Sequence, residues 1–257
     1  MMPARNGKGV SSDFQCKGEK FMRSWFAIAA GLLLATGAVQ AQVTATVTAV
    51  SDYDFRGVSL SGTDPNLQGS IDWANDSGFY AGLWASGPLD FGPGSDANVE
   101  TDLYFGINGG AEEGFGWSAG FVYYYYWPDG DNVDYPEIFV GGKYQSFSGK
   151  LWYTNDYGNL GPDAWYLEGN FDHDLPSNFS IHAHLGYNYG DYWDDRANFL
   201  DEHIDWSIGV GYTFGNFTML LKWVDNETDF VNKNDAFNNE GRVIFSIATT
   251  FPWASGT

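Results

Sequence analysis

Charged side chains with the spacing of a binding surface occur early in the chain. Asp52, Asp54 and Arg56 alternate with the aromatic residues Tyr53 and Phe55. Because successive side chains of a β-strand point to opposite faces, this spacing predicts one face that carries all three charges. Such a face suits the binding of ions and polar solutes. Similar side chains alternate with apolar residues in later stretches: Asp72, Glu100, Asp102, Tyr104, Glu137, Lys150, Trp152, Glu168, Asp205, Lys222 and Arg242.

Two stretches of the sequence carry residue types that bind metal ions. His182 and His184 lie two positions apart, so both rings leave the same face of a strand, as in a chelating pair. The sequence supplies no third ligand that can be named. The acidic loop from Asp129 to Asp134 has the oxygen spacing of a calcium loop but lacks the later bidentate Glu of an EF-hand. We therefore predict no metal site and no cofactor.

The composition narrows the class of partner. The chain has 257 residues, a formal net charge of −21 and 18% aromatic residues. The deficit of Lys and Arg argues against nucleic acid, because basic side chains are needed to neutralise phosphate groups. Cationic solutes, divalent ions or a lipid surface bridged by cations fit this charge better. Abundant Asp, Gly, Tyr and Trp are more typical of a β protein than of a helical one.

The start of the chain has the features of an export signal. An apolar run from Trp25 to Ala35 follows several basic residues and precedes the small-residue sequence Val39-Gln40-Ala41. This run is shorter than the roughly 20 residues that a spanning helix needs. We predict cleavage at the end of that sequence, with Met22 as an alternative start of the chain. Residues 1–41 are then an N-terminal extension and signal peptide, and residues 42–257 form a single domain.

Apolar and polar residues alternate with a period of two throughout the predicted mature chain. The stretch from Leu67 to Trp73 alternates, Asn75 to Gly78 has the composition of a tight turn, and alternation resumes from Phe79 to Ala85. Two such runs joined by a turn indicate a β-hairpin. The alternating stretches number about twelve, which predicts about twelve strands. Along the chain, short connections between them alternate with longer ones. An even strand number with short turns on one side and longer loops on the other is typical of outer-membrane barrels.

The two faces of these strands differ in chemistry. Charged residues within the predicted strands lie on the polar face, as expected if the other face meets lipid, where an Arg or Lys costs roughly 2–4 kcal/mol. Aromatic residues of the apolar face cluster near both strand ends, where the two membrane interfaces favour Trp and Tyr. The predicted belt at the short turns comprises Trp73, Phe79, Trp117, Tyr144, Phe171, Phe179, Tyr212, Phe217 and Phe251. The predicted belt at the long loops comprises Tyr53, Phe55, Tyr125, Tyr157, Trp165, Tyr187 and Trp223.

These patterns predict an all-β fold. We expect an antiparallel, up-and-down transmembrane β-barrel of about twelve strands, with short periplasmic turns and longer external loops. A soluble β-sandwich or a lipocalin-like barrel is the less favoured alternative, because neither has a reason to place aromatic residues at both strand ends.

Catalysis requires a nucleophile, a base and an orienting group within reach of one another. No Gly-x-Ser-x-Gly motif occurs. The serine and histidine residues of the predicted strands fall on the polar face, whereas an enzyme acting on membrane lipid needs them on the apolar side. We therefore predict no catalytic residue, with a lipid hydrolase as a minor alternative. The serines on the polar face are Ser70, Ser118, Ser180, Ser207 and Ser246.

The sequence also resembles a known family. The similarity is clearest at Ser51-Asp52-Tyr53, Phe55-Arg56-Gly57, Asp64-Pro65, Ser77-Gly78-Phe79-Tyr80, Glu100-Thr101-Asp102 and Asp205-Trp206-Ser207. With these motifs the chain resembles the TorF-type porins of proteobacteria, also called the Gcw_chp family, over nearly the whole mature part. The resemblance implies an outer-membrane barrel with a pore function, and it assigns no ligand residues. One departure is the extension Pro252 to Thr257, since such barrels usually end on the aromatic residue that the assembly machinery recognises.

Together these observations predict a porin of the outer membrane through which small solutes diffuse passively. The pore would be lined by the residues of the polar face: Asp52, Asp54, Arg56, Asp72, Glu100, Asp102, Tyr104, Glu137, Lys150, Trp152, Glu168, Asp205, Lys222 and Arg242. Their excess of carboxylates favours cations or neutral molecules over anions. Arg56 is the best candidate for a constriction residue, with ion pairing to Asp54 or Asp52 as the alternative. A structural or adhesive barrel without an open pore is the main alternative function. The expected partners are outer-membrane lipid, lipopolysaccharide and the barrel-assembly machinery, which would bind the strand that ends at Phe251.

Overall fold

The structure, a computed structural model, describes residues 41–92, 95–111, 114–128, 133–194, 201–227 and 236–253. The predicted signal peptide and most of the calcium-like loop lie outside these residues. The predicted domain boundary at residue 41 therefore stays a prediction.

The described residues form a wall of twelve long strands and one short pair. The wall strands are β1 (Ala41–Val50), β4 (Asn66–Asn75), β5 (Phe79–Gly87), β6 (Val99–Gly110), β7 (Phe115–Trp127), β8 (Tyr135–Tyr144), β9 (Phe147–Thr154), β10 (Ala164–Asp174), β11 (Phe179–Tyr189), β12 (His203–Phe214), β13 (Phe217–Asn226) and β14 (Arg242–Phe251). The short pair is β2 (Asp54–Phe55) and β3 (Val58–Ser59). Single helical turns lie in two of the long loops and one of the short connections, at Tyr157–Asn159, Asp191–Asp194 and Pro176–Asn178.

Each wall strand pairs antiparallel with its neighbours, and the first strand closes against the last. Ala45 of β1 pairs with Phe251 of β14, and Val50 pairs with Ser246. On its other side β1 pairs with β4, so the ladder is continuous around a closed barrel. A closed wall leaves no strand edge with unpaired backbone groups, as a barrel in hydrocarbon requires. The prediction of an antiparallel up-and-down barrel of about twelve strands is confirmed.

Side chains of the wall alternate between an apolar exterior and a polar interior. The exterior residues are exposed, for example Val140 and Leu185, whereas polar neighbours such as Glu137 and Asn188 are buried inside. So large an exposed apolar surface would associate in water, and it matches a lipid-facing band. Further exposed members of this band are Ile71, Leu83, Leu103, Phe105, Leu167, Ile208, Val210, Leu221, Val243 and Phe245.

Three residues of the predicted aromatic belt at the long loops were assigned to the wrong side. The chain leaves the wall after Val50, and residues 51–65, here called the inner segment, fold into the barrel. Tyr53 is buried, and Phe55 and Tyr157 pack against the same interior cluster. The alternation of Tyr53 and Phe55 with charged residues therefore belongs to a segment inside the lumen, where both sets of side chains meet protein.

The loop end of the barrel interior is filled by aromatic and aliphatic side chains. Tyr124 stacks on Tyr135 with ring centroids 4.8 Å apart, and Phe91 from a long loop lies 5.3 Å from Tyr126. Leu60 of the inner segment is buried in the same cluster. This packing gives the loop end a small core of its own and leaves free space nearer the short turns.

Within the part of the chain that the structure describes, no helix has the length and apolar character to cross a membrane.

Ile208 and Ser207 offer a test of the two faces, because they are neighbours on β12 that point in opposite directions. Ile208 is 60% exposed on the exterior, and Ser207 lines an internal cavity. Ile208→Arg should destabilise the barrel by roughly 2–4 kcal/mol, since it places a cation in lipid. Ser207→Arg should cost much less, because water and carboxylates surround it. The measurement is the urea midpoint of folding into lipid vesicles, followed by heat-modifiable gel mobility; equal losses would contradict the assigned faces.

Candidate functional site

The inner segment turns into the lumen at a strained pair of residues. Arg56 has φ of 53° and Gly57 has φ of 85°, both in the left-handed region. A Cβ on Gly57 would lie 2.6 Å from the Cβ of Asp205, so glycine is required there. A non-glycine residue in this region costs about 1–3 kcal/mol and persists only where its surroundings fix it. The contacts of Arg56 and of the neighbouring carboxylates supply that constraint.

Arg242, the first residue of β14, anchors one end of the inner segment. Its Nε donates to Asp52 and its Nη2 donates to Asp54 Oδ1 at 2.6 Å. Lys222 Nζ lies 3.7 Å from Asp54 Oδ2, and Ser59 and a second serine of the segment donate to Asp52. Burial raises the pKa of Asp54, although Lys222 and Arg242 act in the opposite direction. Two carboxylates of the segment are thus held by cations of the wall.

Arg56 forms a second anchor, two residues after Asp54, and its partner is not one that the sequence suggested. Its Nη1 and Nη2 donate to the two carboxylate oxygens of Glu137 at 2.9 and 2.6 Å. Tyr124 also donates to Glu137 Oε2, at 2.9 Å. The expected alternative of an ion pair with Asp54 or Asp52 is therefore wrong. Those two residues pair with β13 and β14, on the other side of the segment.

Below the inner segment the lumen holds a cavity of about 670 Å³. Of the predicted pore-lining residues, the structure brings eight together around it: Asp54, Arg56, Asp102, Tyr104, Trp152, Glu168, Asp205 and Lys222. Six others lie inside the barrel but outside the cavity lining: Asp52, Asp72, Glu100, Glu137, Lys150 and Arg242. The lining also includes Trp84, Tyr124, Tyr166 and both histidines of the His-x-His pair.

The cavity opens towards the short turns. Side-chain exposure increases along the lumen from 4% for Asp205 through 17% for Glu168 and 23% for His184 to 34% for His182 and 61% for Asp172. Asp205 lies near the loop end of β12, and Asp172 lies near the turn end of β10. Water and solutes therefore reach the cavity most readily from the side of the short turns.

Carboxylates of the cavity are held mainly by neutral donors. Glu168 accepts from Trp152 Nε1 at 2.8 Å and from Asn170 Nδ2 at 3.0 Å. Asp205 accepts from the Tyr166 hydroxyl at 3.2 Å. In the described part of the chain neither Glu168 nor Asp205 forms an ion pair with Lys or Arg. Glu168 nevertheless interacts electrostatically with Lys150, and Asp205 Oδ1 lies 3.0 Å from His184 Nε2.

Two of the lumen groups outside the lining, Asp72 and Lys150, have hydroxyl or aromatic partners. The Tyr104 hydroxyl donates to Asp72. Lys150 Nζ lies 4.6 Å from the ring centre of Phe139 and 4.9 Å from that of Trp152, as in a cation–π contact. These contacts fill the space between the cavity and the wall.

Glu100 and Asp102 face the lumen two positions apart on β6. Tyr53 donates to Glu100 Oε1 at 3.2 Å. Glu100 Oε2 and Asp102 Oδ1 are buried and have no hydrogen-bond partner among the described residues. A buried oxygen without a partner is costly, and two buried carboxyl groups side by side add to that cost.

A hydrogen-bonded series of Ser, His and Asp lies near the turn end of the lumen, and sequence analysis did not predict it. Ser180 Oγ is 2.8 Å from His182 Nε2, and His182 Nδ1 is 2.6 Å from Asp172 Oδ1. Ser180 and His182 are two positions apart on β11, and Asp172 is the cross-strand partner of His182 on β10. The spacing of Ser180 and His182 was visible in the sequence, whereas the third member depends on strand register.

The histidine pair has partners of other kinds. His184 Nδ1 is 2.7 Å from Asn170 Oδ1, and its Nε2 is 3.0 Å from Asp205 Oδ1. Within residues 41–253, as far as the structure describes them, no group of three or more His, Cys, Asp and Glu is placed to hold a metal ion.

The closed wall, the apolar exterior and the polar lumen define a porin-like β-barrel. The chain belongs to the family described as "Bacterial protein of unknown function (Gcw_chp)", whose model matches residues 34–251. The resemblance found in the sequence is thus confirmed.

Solved structures share the fold. The KdgM porin is 11% identical with a TM-score of 0.51, over 84% of this chain and 100% of that one. A KdgM porin in complex with disordered oligogalacturonate is 12% identical with a TM-score of 0.51, over 82% and 99% of the two chains. The NanC porin is 10% identical with a TM-score of 0.52, over 81% and 98%. At such identities the likeness extends to the barrel fold alone. No curated protein matches the chain.

The ion pairs of Arg242 give a testable account of what holds the inner segment. Arg242→Gln leaves Asp52 and Asp54 without their main cation, and breaking a buried pair in this way costs about 3–5 kcal/mol. We expect hydrogen exchange of residues 51–65 to become more than about a hundredfold faster while the wall strands stay protected.

Lys143→Gln is the matched control, because Lys143 is an exposed cation at the turn end of β8. Unchanged exchange of the inner segment in Arg242→Gln, with normal heat-modifiable mobility, would contradict the anchoring role of these ion pairs.

Proposed function

We propose that the protein is an outer-membrane porin for passive diffusion of small solutes, with cations and neutral molecules preferred over anions. The observation that carries this proposal is the water-accessible cavity inside a wall whose exterior is apolar. Such a wall is suited to lipid, and its polar interior is the route by which solutes would cross the bilayer. The shared fold with porins of known structure supports a channel rather than an enzyme.

The sign of the preferred charge follows from the cavity lining. Five carboxylates line the cavity, against two Lys or Arg side chains. Arg56 pairs with Glu137, and Asp54 pairs with Lys222 and Arg242, so the excess comes from the other carboxylates. A narrow wall with an excess of one sign concentrates ions of the opposite sign. The five carboxylates are Asp54, Asp102, Glu168, Asp172 and Asp205.

The structural relatives do not supply the solute. One KdgM structure was solved with oligogalacturonate, which carries negative charge. The cavity here is lined by an excess of carboxylates, so an acidic sugar is not the solute that its electrostatics favour.

Export and membrane insertion follow from the same proposal. The predicted signal peptide would deliver the chain to the periplasm, and lipid and lipopolysaccharide would contact the apolar exterior. The barrel-assembly machinery would bind β14, which ends at Phe251. Trp253 stacks on Phe251 with ring centroids 4.9 Å apart and donates to Thr249 Oγ1 at 2.9 Å, so Trp253 folds back on the end of the strand.

Neutralising cavity carboxylates tests the proposed selectivity. Glu168→Gln with Asp172→Asn removes two charges that line the cavity and form no pair with Lys or Arg among the described residues. We expect the ratio of cation to anion permeability to fall about twofold, because the lumen potential becomes less negative. The measurement is the reversal potential of the purified protein in a planar bilayer under a salt gradient.

Asp64→Asn is the matched control, because Asp64 is an exposed acidic residue of the inner segment that does not line the cavity. An unchanged reversal potential in the double variant would contradict cation selectivity. A wild-type barrel that folds and inserts but conducts no current would contradict the porin itself and favour a structural or adhesive role.

A hydrolase acting at the turn end of the lumen is a second candidate, and one observation favours it. Ser180, His182 and Asp172 have the order and the distances of a nucleophile, a base and an orienting carboxylate. His182 and Asp172 line the cavity, so an ester that enters from the periplasmic side would reach them. In the acylation step Ser180 Oγ would bond to the carbonyl carbon, and its proton would pass through His182 to the departing alcohol.

A fluorophosphonate probe tests this second candidate directly. An activated Ser180 should form a stable covalent adduct, and labelling should disappear in Ser180→Ala and fall in His182→Gln. Ser207→Ala is the control, because Ser207 also lines the cavity and lies outside the series. Absence of labelling in the wild-type barrel, confirmed by mass spectrometry, would remove the hydrolase candidate.

A further inference from the structure

The head group of Arg56 is held in the manner of a bound ligand. Its two terminal nitrogens donate to both oxygens of Glu137, at 2.9 and 2.6 Å. Its Cζ lies 4.3 Å from the ring centre of Tyr166, 4.8 Å from that of Phe55 and 5.7 Å from that of Trp152. A carboxylate fork beside aromatic faces is the chemistry that recognises a planar guanidinium group.

We propose that Glu137, Trp152 and Tyr166 form a binding site for guanidinium compounds, which the tethered Arg56 occupies in the free protein. This inference deepens the proposed porin function, on which it rests, because it names guanidinium-bearing organic cations as a class of solute. A solute of this class competes with Arg56 for Glu137 and loosens the inner segment when it binds.

The proposed site belongs to the wall, not to the inner segment. Glu137, Trp152 and Tyr166 lie on the consecutive strands β8, β9 and β10, so they keep their positions when the segment moves. The Tyr124 hydroxyl donates to Glu137 Oε2 at 2.9 Å and fixes the carboxylate from a fourth strand, β7. The wall thus presents a preorganised acceptor, and Arg56 is the half of the pair that the inner segment carries.

A solute can approach this site through the cavity. Trp152 and Tyr166 line the cavity, and so do Glu168 and Asp205, whose charges are not paired with Lys or Arg among the described residues. These carboxylates raise the local concentration of cations. The Arg56 side chain covers Glu137, whose own side chain is 1% exposed, so the final step of binding requires that Arg56 withdraw.

The geometry also predicts discrimination among cations. A guanidinium group forms two parallel hydrogen bonds to one carboxylate and stacks on an aromatic ring, whereas an ammonium group is a point charge without that fork. Guanidinium compounds should therefore bind better than ammonium compounds of equal charge and similar size.

Removing the tethered ligand tests the site. In Arg56→Ala, folded in detergent, ethylguanidinium should bind with a stoichiometry of one and about tenfold more tightly than ethylammonium, by isothermal titration calorimetry. Adding Glu137→Gln should abolish this preference. Lys222→Ala is the matched control: Lys222 is another lumen cation, but it lies outside the proposed site, so its removal should create no guanidinium preference. If Arg56→Ala loses heat-modifiable mobility, Arg56→Gln takes its place.

The wild-type protein provides the second measurement. Ethylguanidinium should speed hydrogen exchange of residues 51–65 by displacing Arg56, and ethylammonium at the same concentration should not. Equal binding of the two cations, or a preference that survives Glu137→Gln, would overturn the site. Neither measurement requires conduction, so binding without conductance would refute the porin alone, and conductance without guanidinium preference would refute the site alone.

Discussion

The boundary between lipid and water at the wall decides where each charge of this chain can lie. An Arg or Lys on the exterior would cost roughly 2–4 kcal/mol at mid-membrane. The Lys and Arg residues of the described wall strands accordingly lie on the lumen face, and Asp225, on the outer face, lies at the loop end of β13. Inside, space is confined, and each charge needs a partner or water. The pairs of Arg56 with Glu137 and of Arg242 with Asp52 and Asp54 satisfy this demand. The inner segment therefore fills the lumen, and its charged residues also supply the partners that charged residues of the wall need.

Much of the wall is predictable from sequence because its signal is local. Alternation with a period of two identifies each long strand, and short turns such as Asn75 to Gly78 separate them. The same alternation assigns polar residues to the interior, and eight of the predicted residues meet around one cavity. Residues such as Trp152, Glu168 and Lys222 needed no long-range information, since their strand neighbours already fix the face on which they lie.

The inner segment could not be predicted, because its course depends on contacts that are not local in sequence. Alternation continues past Val50 through Asp52, Asp54 and Arg56, so the local pattern extends the strand where the chain in fact turns inward. The inner segment is held inside the barrel by residues that are distant in sequence. Glu137 is 81 positions from Arg56, and Arg242 is 190 positions from Asp52. The Ser180, His182 and Asp172 series was missed for a related reason, since it depends on the register between two strands. Local periodicity carries no information about distant ion pairs or about the register between strands.

The seam between the first and last strands has a consequence for the order of assembly. The inner segment leaves the wall beside this seam, where Ser51 N donates to Phe245 O at 2.8 Å. Arg242 at the start of β14 forms ion pairs with the carboxylates of the segment. Pairing of β14 with β1 therefore closes the barrel and brings Arg242 to the carboxylates of the inner segment in one event. Until β14 pairs, Asp52 and Asp54 lack Arg242, and Lys222 and Glu137 are the wall residues that hold the inner segment by charge.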